Sequence, residues 1–262
     1  MKRYREFLIM VGLALTLYVG FSDHTTPADN DTPLATWVLQ NGPLVGDTVI
    51  TVNYDPFYKR AMTYEAYPLG PNLRQALGDI TKAEGIQVIF ECADGYRPHM
   101  TLEQVLAGNG FLAHRPEGMS WPDSVAEKMA PFYLVWPEAA QGDKSYVTPY
   151  GLTQIHLEPK AEVFGPAMPI EEAHLEGYEL FSNTCMRCHS VNKVGGTLAP
   201  EFNYPRNITE YWAKENIWRF IQEPTAFRYN SQMPSMKAMI DRDKFEKIYA
   251  YLVAMKEKPL KE

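Results

Sequence analysis

The chain has 262 residues, of which 45% are hydrophobic, and this length and composition allow two modest folded domains, each with its own core. The formal net charge is −7, and Lys and Arg do not cluster beyond the first residues, so nucleic-acid binding is excluded as a predicted function. A basic or neutral partner is compatible with that sign, although whole-chain charge says little about one docking face.

The first 22 residues have the pattern of an export signal. Lys2, Arg3 and Arg5 form a positively charged start, and an uncharged apolar run follows at 7–21. As a helix, this run would span about 22 Å, which is short against a hydrocarbon core of about 30 Å. Cleavage after Ser22 is one expectation. Because the preceding residues fit the A-x-A pattern poorly, an uncleaved membrane anchor is the alternative, and both imply export of the rest.

A flexible tether and a first folded domain are predicted next. Residues 23–35 are rich in Asp, Thr, Pro and Asn, which is typical of a tether, and the domain covers 36–160. Runs of β-branched, aromatic or alternating residues predict strands at 49–54, 87–90, 132–136 and 152–157. Short helices are predicted at 72–77 and 102–106. These elements indicate an α+β fold.

One stretch of this domain, at 90–97, places Cys92 and a Gly- and Arg-containing turn directly after a predicted strand. It resembles the cysteine loop of the sulfite-oxidase type molybdopterin-binding domain, and the segments at 131–137 and 149–153 resemble further parts of that fold. The resemblance implies that Cys92 stands at the position of a molybdenum ligand. The segment is considerably shorter than the full cofactor domain and shows no matching array of pterin-phosphate contacts. We therefore expect a relative without molybdopterin, in which Cys92 is a buried thiol.

A linker rich in Pro and Gly is predicted at 161–170, and a second domain at 171–262. This domain contains a C-x-x-C-H motif formed by Cys185, Cys188 and His189. Positions three apart on a helical turn share a face, so two thiols can add to the two vinyl groups of one porphyrin while the histidine binds its iron. A zinc site would need a second ligand pair, and a thioredoxin-like site would need a βαβ context; neither is present in the sequence.

The flanks of the motif resemble the class I cytochrome c family over about 171–258. An amphipathic helix is predicted at 171–181, where Gly177 and Phe181 match the small and aromatic residues that the family carries at the crossing of its first and last helices. Two further helices are predicted at 209–222 and 241–256. The resemblance implies an all-α domain with one haem c, attached covalently through the two cysteines of the motif.

The resemblance also implies the residues around the iron. Pro200 matches the proline whose carbonyl accepts a hydrogen bond from the ligating histidine, a bond that fixes the ring and raises its basicity. Met233, which precedes a proline as in the family pattern, is assigned as the sixth ligand. Met236 and then Met239 are the alternatives, and core packing is the other role open to these methionines. His174 lies before the motif and is expected to be a solvated helix residue.

The sequence thus predicts a periplasmic, two-domain, monohaem cytochrome c that carries single electrons, with its N-terminal domain as a docking or assembly module. A thioether ligand leaves no open position for substrate, which favours electron transfer over catalysis. The expected partners are redox proteins or subunits of a respiratory complex, with the N-terminal segment as the route to a membrane. One alternative is a molybdenum-dependent oxidoreductase of the sulfite dehydrogenase type that reduces its own haem. The other is an accessory subunit of a respiratory complex.

Overall fold

The computed structural model describes residues 35–78, 84–141 and 143–260. The predicted export signal or anchor, and all but the end of the tether, lie outside these residues. Within them, no helix is both long enough and apolar enough to cross a bilayer. The described residues belong to one compact unit, so the β-rich N-terminal part and the helical C-terminal part are packed together.

Two antiparallel sheets form the N-terminal part. The strands are β1 Ala35–Val38, β2 Thr48–Asp55, β3 Arg60–Pro68, β4 Ile86–Cys92, β5 His99–Thr101, β6 Phe111–Pro116, β7 Tyr133–Val135 and β8 Leu152–Pro159. One sheet has the order β1-β8-β4-β5 and the other β2-β3-β6-β7. In the first sheet β4 lies between β8 and β5, and four consecutive residues of β4 are buried. That burial explains why three consecutive residues of the strand, Val88, Ile89 and Phe90, are apolar where a strand with one exposed face would alternate.

Three helices accompany these sheets: α1 Leu69–Leu77, α2 Leu102–Ala107 and α3 Asp123–Met129. The Thr101 side chain accepts a hydrogen bond from the Gln104 N–H, and the Gln104 side chain accepts one from the Thr101 N–H. This reciprocal pair of bonds caps α2 and explains where the short helix begins. The four predicted strands and two predicted helices are confirmed. Several elements were not predicted, including β1 and β5, which have four and three residues and are too short for a periodic pattern.

The predicted linker forms a short helix, α4 Lys160–Phe164, followed by one 3₁₀ turn at Gly165–Ala167. Pro159 and Pro166 stand at the starts of these turns, where proline is well tolerated because the first helical N–H groups need no partner in the helix. Phe164 and Ala167 are buried in the core of the C-terminal part. The connection is therefore a packed element of the fold.

The C-terminal part is helical. Its helices are α5 Leu175–Thr184, α6 Lys214–Gln222, α7 Pro224–Phe227 and α8 Arg242–Ala254, and a short ladder pairs β9 Ser190–Val191 with β10 Val194–Gly195. Three helices were predicted, and the middle one begins later than expected. Asn207 caps a separate 3₁₀ turn at Ile208–Glu210, so the α-helix starts only at Lys214. The first predicted helix likewise opens with a 3₁₀ turn at Glu172–His174.

The crossing of α5 and α8 is the tightest contact of the C-terminal part. Gly177 lies against the backbone carbonyl of Lys247, and a Cβ atom at this glycine would collide with that carbonyl oxygen. Tyr178 and Phe181 pack against Tyr251 with ring centroids 5.7 and 5.5 Å apart. The crossing fixes α5, and with it the motif that begins at the end of α5.

Replacing Gly177 by Ala should therefore destabilise the fold by roughly 1–3 kcal/mol, because the helices must separate to admit one methyl group. Gly70 is the matched control, since it also lies in a helix and a Cβ there meets nothing within 4 Å. Gly70→Ala should cost clearly less than Gly177→Ala, because its methyl group meets no atom and the opposing factor is only the preference of a residue before proline for extended backbone. Thermal unfolding followed by circular dichroism compares the two variants, and equal effects would contradict the role of Gly177.

Candidate functional site

The motif residues lie on a tight turn at the end of α5. The N–H groups of Cys188 and His189 donate to the carbonyl oxygen of Cys185 at 3.1 and 2.9 Å. Both cysteines are free thiols. Burial raises the pKa of Cys185 to about 12 and also raises that of Cys188, so both thiols are protonated at neutral pH. The turn therefore brings two unpaired thiols and one imidazole together.

The His189 ring is fixed by two neighbours. A carbonyl oxygen can only accept, so Nδ1–H donates to the Pro200 oxygen, 2.7 Å away. The ring also stacks on Phe202, with centroids 4.2 Å apart. Burial lowers the His189 pKa, and the Pro200 bond raises it by a smaller amount. The net pKa is lowered, so the ring is neutral. Nδ1 is thus occupied, and Nε2 is the nitrogen available to a metal.

A glycine-containing loop returns closely against the motif. The Gly196 N–H donates to the carbonyl oxygens of Met186 and His189 at 2.8 and 3.1 Å, and the Ala199 N–H donates to Cys188 at 2.9 Å. Gly195 has φ +122°, and a Cβ atom there would collide with the His189 carbonyl. Only glycine allows this approach, which carries the chain to Pro200.

Glu201, directly after Pro200, binds the backbone of two loop segments. One carboxylate oxygen accepts the N–H groups of Asn192 and Asn203 at 3.0 and 2.7 Å, and the other accepts that of Lys193 at 2.8 Å. Charge-assisted bonds of this kind are stronger than bonds between neutral groups. Glu201 therefore holds the position of the Pro200 carbonyl. Glu201 was not predicted from the sequence, because its partners across the loop are not visible in a local pattern.

Three buried asparagines connect this loop to the end of α8. Asn203 donates to the Asn192 side chain at 2.8 Å, and Asn207 donates to the Asn203 side chain at 2.7 Å. The same two amides reach the carbonyl oxygens of Met255 and Leu252 at 2.9 and 2.8 Å. Buried amides with satisfied partners make a loop rigid. These asparagines were not predicted, because isolated asparagines in a loop give no specific sequence signal.

The candidate methionines lie in the same core as the motif. Met236 is a buried member of that core, with 7% of its surface exposed, whereas Met233 and Met239 are partly buried against it. The Met236 N–H donates to the Ile221 carbonyl at 2.8 Å, which fastens this segment to α6. Both Met233 and its alternative therefore remain open as the sixth ligand. His174 lies near the Glu171 carboxylate, at 3.7 Å, on the 3₁₀ turn before α5.

The described part of the chain also contains a group with metal-ligand spacing in the N-terminal part. Single ligand atoms of Asp47, Glu65 and His114 all lie within 4.8 Å of one another. The Glu65 carboxylate is already paired with the Arg115 guanidinium and accepts the N–H of Gly118 at 3.0 Å. Because a cation already neutralises this carboxylate, we assign no metal to the group.

Cys92 lies at the end of β4 in the core of the N-terminal part, with 4% of its surface exposed. Burial raises the pKa of its thiol, and the nearby carboxylates of Asp94 and Glu91 add to this shift. The residue is a neutral, packed thiol in this environment. It does not join the motif cysteines in one cluster, but the turn that follows it contacts the motif.

The residues around the motif fit a covalently bound haem. Two free thiols stand on one turn with an imidazole whose Nδ1 is already held, and methionines lie in the adjoining core. A zinc site would need further ligands, and Asp47, Glu65 and His114 are the one such group found in the described residues.

Comparison with known families agrees with this arrangement. Residues 172–252, well under half of the chain, match the family model described as cytochrome C oxidase, cbb3-type, subunit III. The match supports a class I cytochrome c domain in the C-terminal part, and such a domain implies covalently bound haem c. A search of curated proteins found no match to the chain.

Replacing Glu201 by Ala should raise the reduction potential of the haem-loaded protein. The loop loses its carboxylate bonds, the Pro200 carbonyl loosens from Nδ1, and a less basic imidazole stabilises the ferric state less. Glu210 is the matched control, because its carboxylate also accepts a backbone N–H, that of Asn207 at 3.1 Å, at another turn. In a redox titration, the reduction potential should rise more for Glu201→Ala than for Glu210→Ala. Equal rises would mean that the loss of one negative charge, and not the loss of the loop contacts, causes the change.

Proposed function

We propose that this chain is an exported monohaem c-type cytochrome that carries single electrons between redox proteins. One observation carries the proposal. Cys185, Cys188 and His189 share a turn, the His189 ring is bonded to Pro200, and this turn lies inside the region that matches a cytochrome family model. Fold alone does not imply function, so the proposal rests on these site residues.

The residues of the chain have distinct roles in this proposal. A haem in this site would supply an iron that changes by one electron between its ferrous and ferric states. Cys185 and Cys188 would hold it through thioether bonds, and Nε2 of His189 would bind its iron. The Pro200 carbonyl keeps the proton on Nδ1 and thereby orients the ring. The aromatic core around Phe181 and Phe245 excludes water.

Met233 is proposed as the sixth ligand, with Met236 as the alternative. Its thioether would bind a haem iron and leave it no substrate-accessible site, which supports a role in electron transfer rather than in catalysis. The partners would be redox proteins or subunits of a respiratory complex, and the location would be the periplasm. The protein would be soluble there or held to the inner membrane by residues 1–22, whose charged start and apolar run support export.

For the N-terminal part we propose a docking or assembly role and a relationship to the sulfite-oxidase type fold. The position of Cys92 at the end of β4 supports that relationship. The burial of its thiol among apolar side chains argues against a role as molybdenum ligand, since such a ligand must be a thiolate exposed to the cofactor. We therefore propose that the protein is an electron carrier rather than a molybdenum oxidoreductase.

The decisive test is metal analysis of protein purified from its native host. We expect one iron and no stoichiometric molybdenum per chain, with the haem retained after acid–acetone extraction. Replacing Cys185 and Cys188 by Ala should abolish that retention, because the thioether bonds can no longer form. Cys92→Ser serves as the matched control, and its haem spectrum should match that of the unaltered protein. A content of zero or two haems would contradict the proposal, and molybdenum lost in Cys92→Ser would establish the enzyme instead.

The sixth ligand can be identified with a pair of variants. Met233→Ala should abolish the weak sulfur-to-iron charge-transfer band of the oxidised protein and lower the reduction potential. Met236→Ala should leave the band and the potential nearly unchanged, while lowering the free energy of unfolding by about 2–5 kcal/mol through loss of buried volume. Absorption spectra and redox titrations measure both effects. If the two variants exchange their behaviour, Met236 is the ligand.

A further inference from the structure

The turn that follows Cys92 lies directly against the C-x-x-C-H motif. The Arg97 N–H donates to the carbonyl oxygen of Arg187 at 2.8 Å, and the Thr197 N–H donates to that of Gly95 at 2.9 Å. Arg187 belongs to the motif, and Thr197 belongs to the loop that leads to Pro200. One turn of the N-terminal part, residues 92–97, is therefore bonded to both segments that hold His189.

The contact at Gly95 leaves no room for a side chain. Gly95 has φ +86°, and a Cβ atom there would collide with the Thr197 side-chain oxygen and lie 3.1 Å from the Leu198 nitrogen. The turn is also closed internally, since the Gly95 N–H donates to the Cys92 carbonyl and the Cys92 N–H to the Tyr96 carbonyl, both at 3.0 Å. A rigid turn thus meets the loop at van der Waals distance.

Side chains extend this contact. His99, which follows the turn, packs on Phe164 with ring centroids 4.7 Å apart and lies 3.4 Å from the Ser182 hydroxyl of α5. Burial, together with the positive charges of Arg187, Lys160 and Arg97, lowers the His99 pKa to about 4, so the ring is a neutral part of this interface. The interface is therefore continuous from α4 and α5 to the motif.

The loop is held to the motif by its own backbone bonds, and turn 92–97 holds its other side. Ala199 is bonded to Cys188, and Gly196 to the motif carbonyls, but Thr197 donates outward to Gly95. Movement of 196–199 would shift Pro200, whose carbonyl accepts the His189 bond at 2.7 Å. Contacts beyond a metal ligand tune that ligand when they fix the orientation of its hydrogen-bond acceptor.

We propose that turn 92–97 of the N-terminal part is a positioning element of the haem site, which holds the loop at 187–200 and thereby the His189–Pro200 hydrogen bond. The inference rests on the proposed function and gives the N-terminal part a defined role in it. The turn at 92–97, which resembles a molybdenum-ligand loop, would thus act through its backbone bonds on His189, the proposed ligand of the haem iron. Cys92 contributes the closed turn rather than its thiol.

The test compares two glycine variants in the full-length, haem-loaded protein. Gly95→Ala introduces a Cβ into the contact, whereas Gly118→Ala places one at φ +68° with nothing within 4 Å. Both variants carry similar backbone strain, and only the first displaces the loop. We expect Gly95→Ala to raise the reduction potential, with a shift of about threefold to tenfold in the equilibrium constant with a redox mediator. Losing a direct partner of a ligating histidine costs roughly 10- to 100-fold in metal affinity or activity, and a residue that acts through such a partner should have a smaller effect.

A second substitution provides a rescue. Thr197→Ala removes the side-chain oxygen that the Gly95→Ala methyl group would meet, so the double variant should return toward the potential of the unaltered protein. Thr197→Ala alone should have little effect. Equal potentials for Gly95→Ala and Gly118→Ala, or strictly additive effects in the double variant, would overturn the inference.

Amide hydrogen exchange in the unaltered protein keeps the test decisive if Gly95→Ala fails to fold. The Arg97 and Thr197 amides should exchange at least about tenfold more slowly than surface amides, because both donate across the interface. Fast exchange at both would overturn the inference. Absence of covalent iron would instead overturn the proposed function, and the exchange measurement would still report on the contact.

Discussion

The hydrogen bond from His189 to the Pro200 carbonyl, 2.7 Å long, is the interaction on which the rest of the site depends. It selects the tautomer and leaves Nε2 as the metal-binding atom. The position of the Pro200 carbonyl is fixed by its neighbours. Glu201 binds the backbone on both sides of the loop, and the asparagines bind the loop to the end of α8. A single imidazole is thus oriented by contacts that extend across the whole C-terminal part.

The α5–α8 crossing supplies the second constraint. The motif begins where α5 ends, so the position of its cysteines follows from the packing of Gly177 against Lys247. The hydroxyl of Tyr251 on α8 donates to the Ala167 carbonyl at 2.7 Å, which binds the connecting segment to the same crossing. The connection between the two parts is therefore part of the haem-site core, and the two parts are positioned by shared contacts.

The β-rich part contacts the motif directly. Its strand β4 ends at Cys92, and the turn beyond that residue reaches the motif through backbone bonds. Backbone bonds depend on where the chain runs and hardly at all on side-chain identity, so this contact follows from the path of the turn rather than from the residues that it presents. The β-rich part is thereby connected to His189, because the loop that it contacts also leads to Pro200.

The sequence by itself determined the features that depend on near neighbours. The C-x-x-C-H spacing places three groups on one turn, and apolar periodicity located the long helices and the buried strands. Tertiary structure alone decided which distant groups meet. Examples are Glu201 with Lys193 across a loop, Gly95 with Thr197 across about a hundred residues, and the deeper burial of Met236 than of Met233. A local pattern encodes contacts within a turn or a strand, whereas these contacts arise only when separate elements pack.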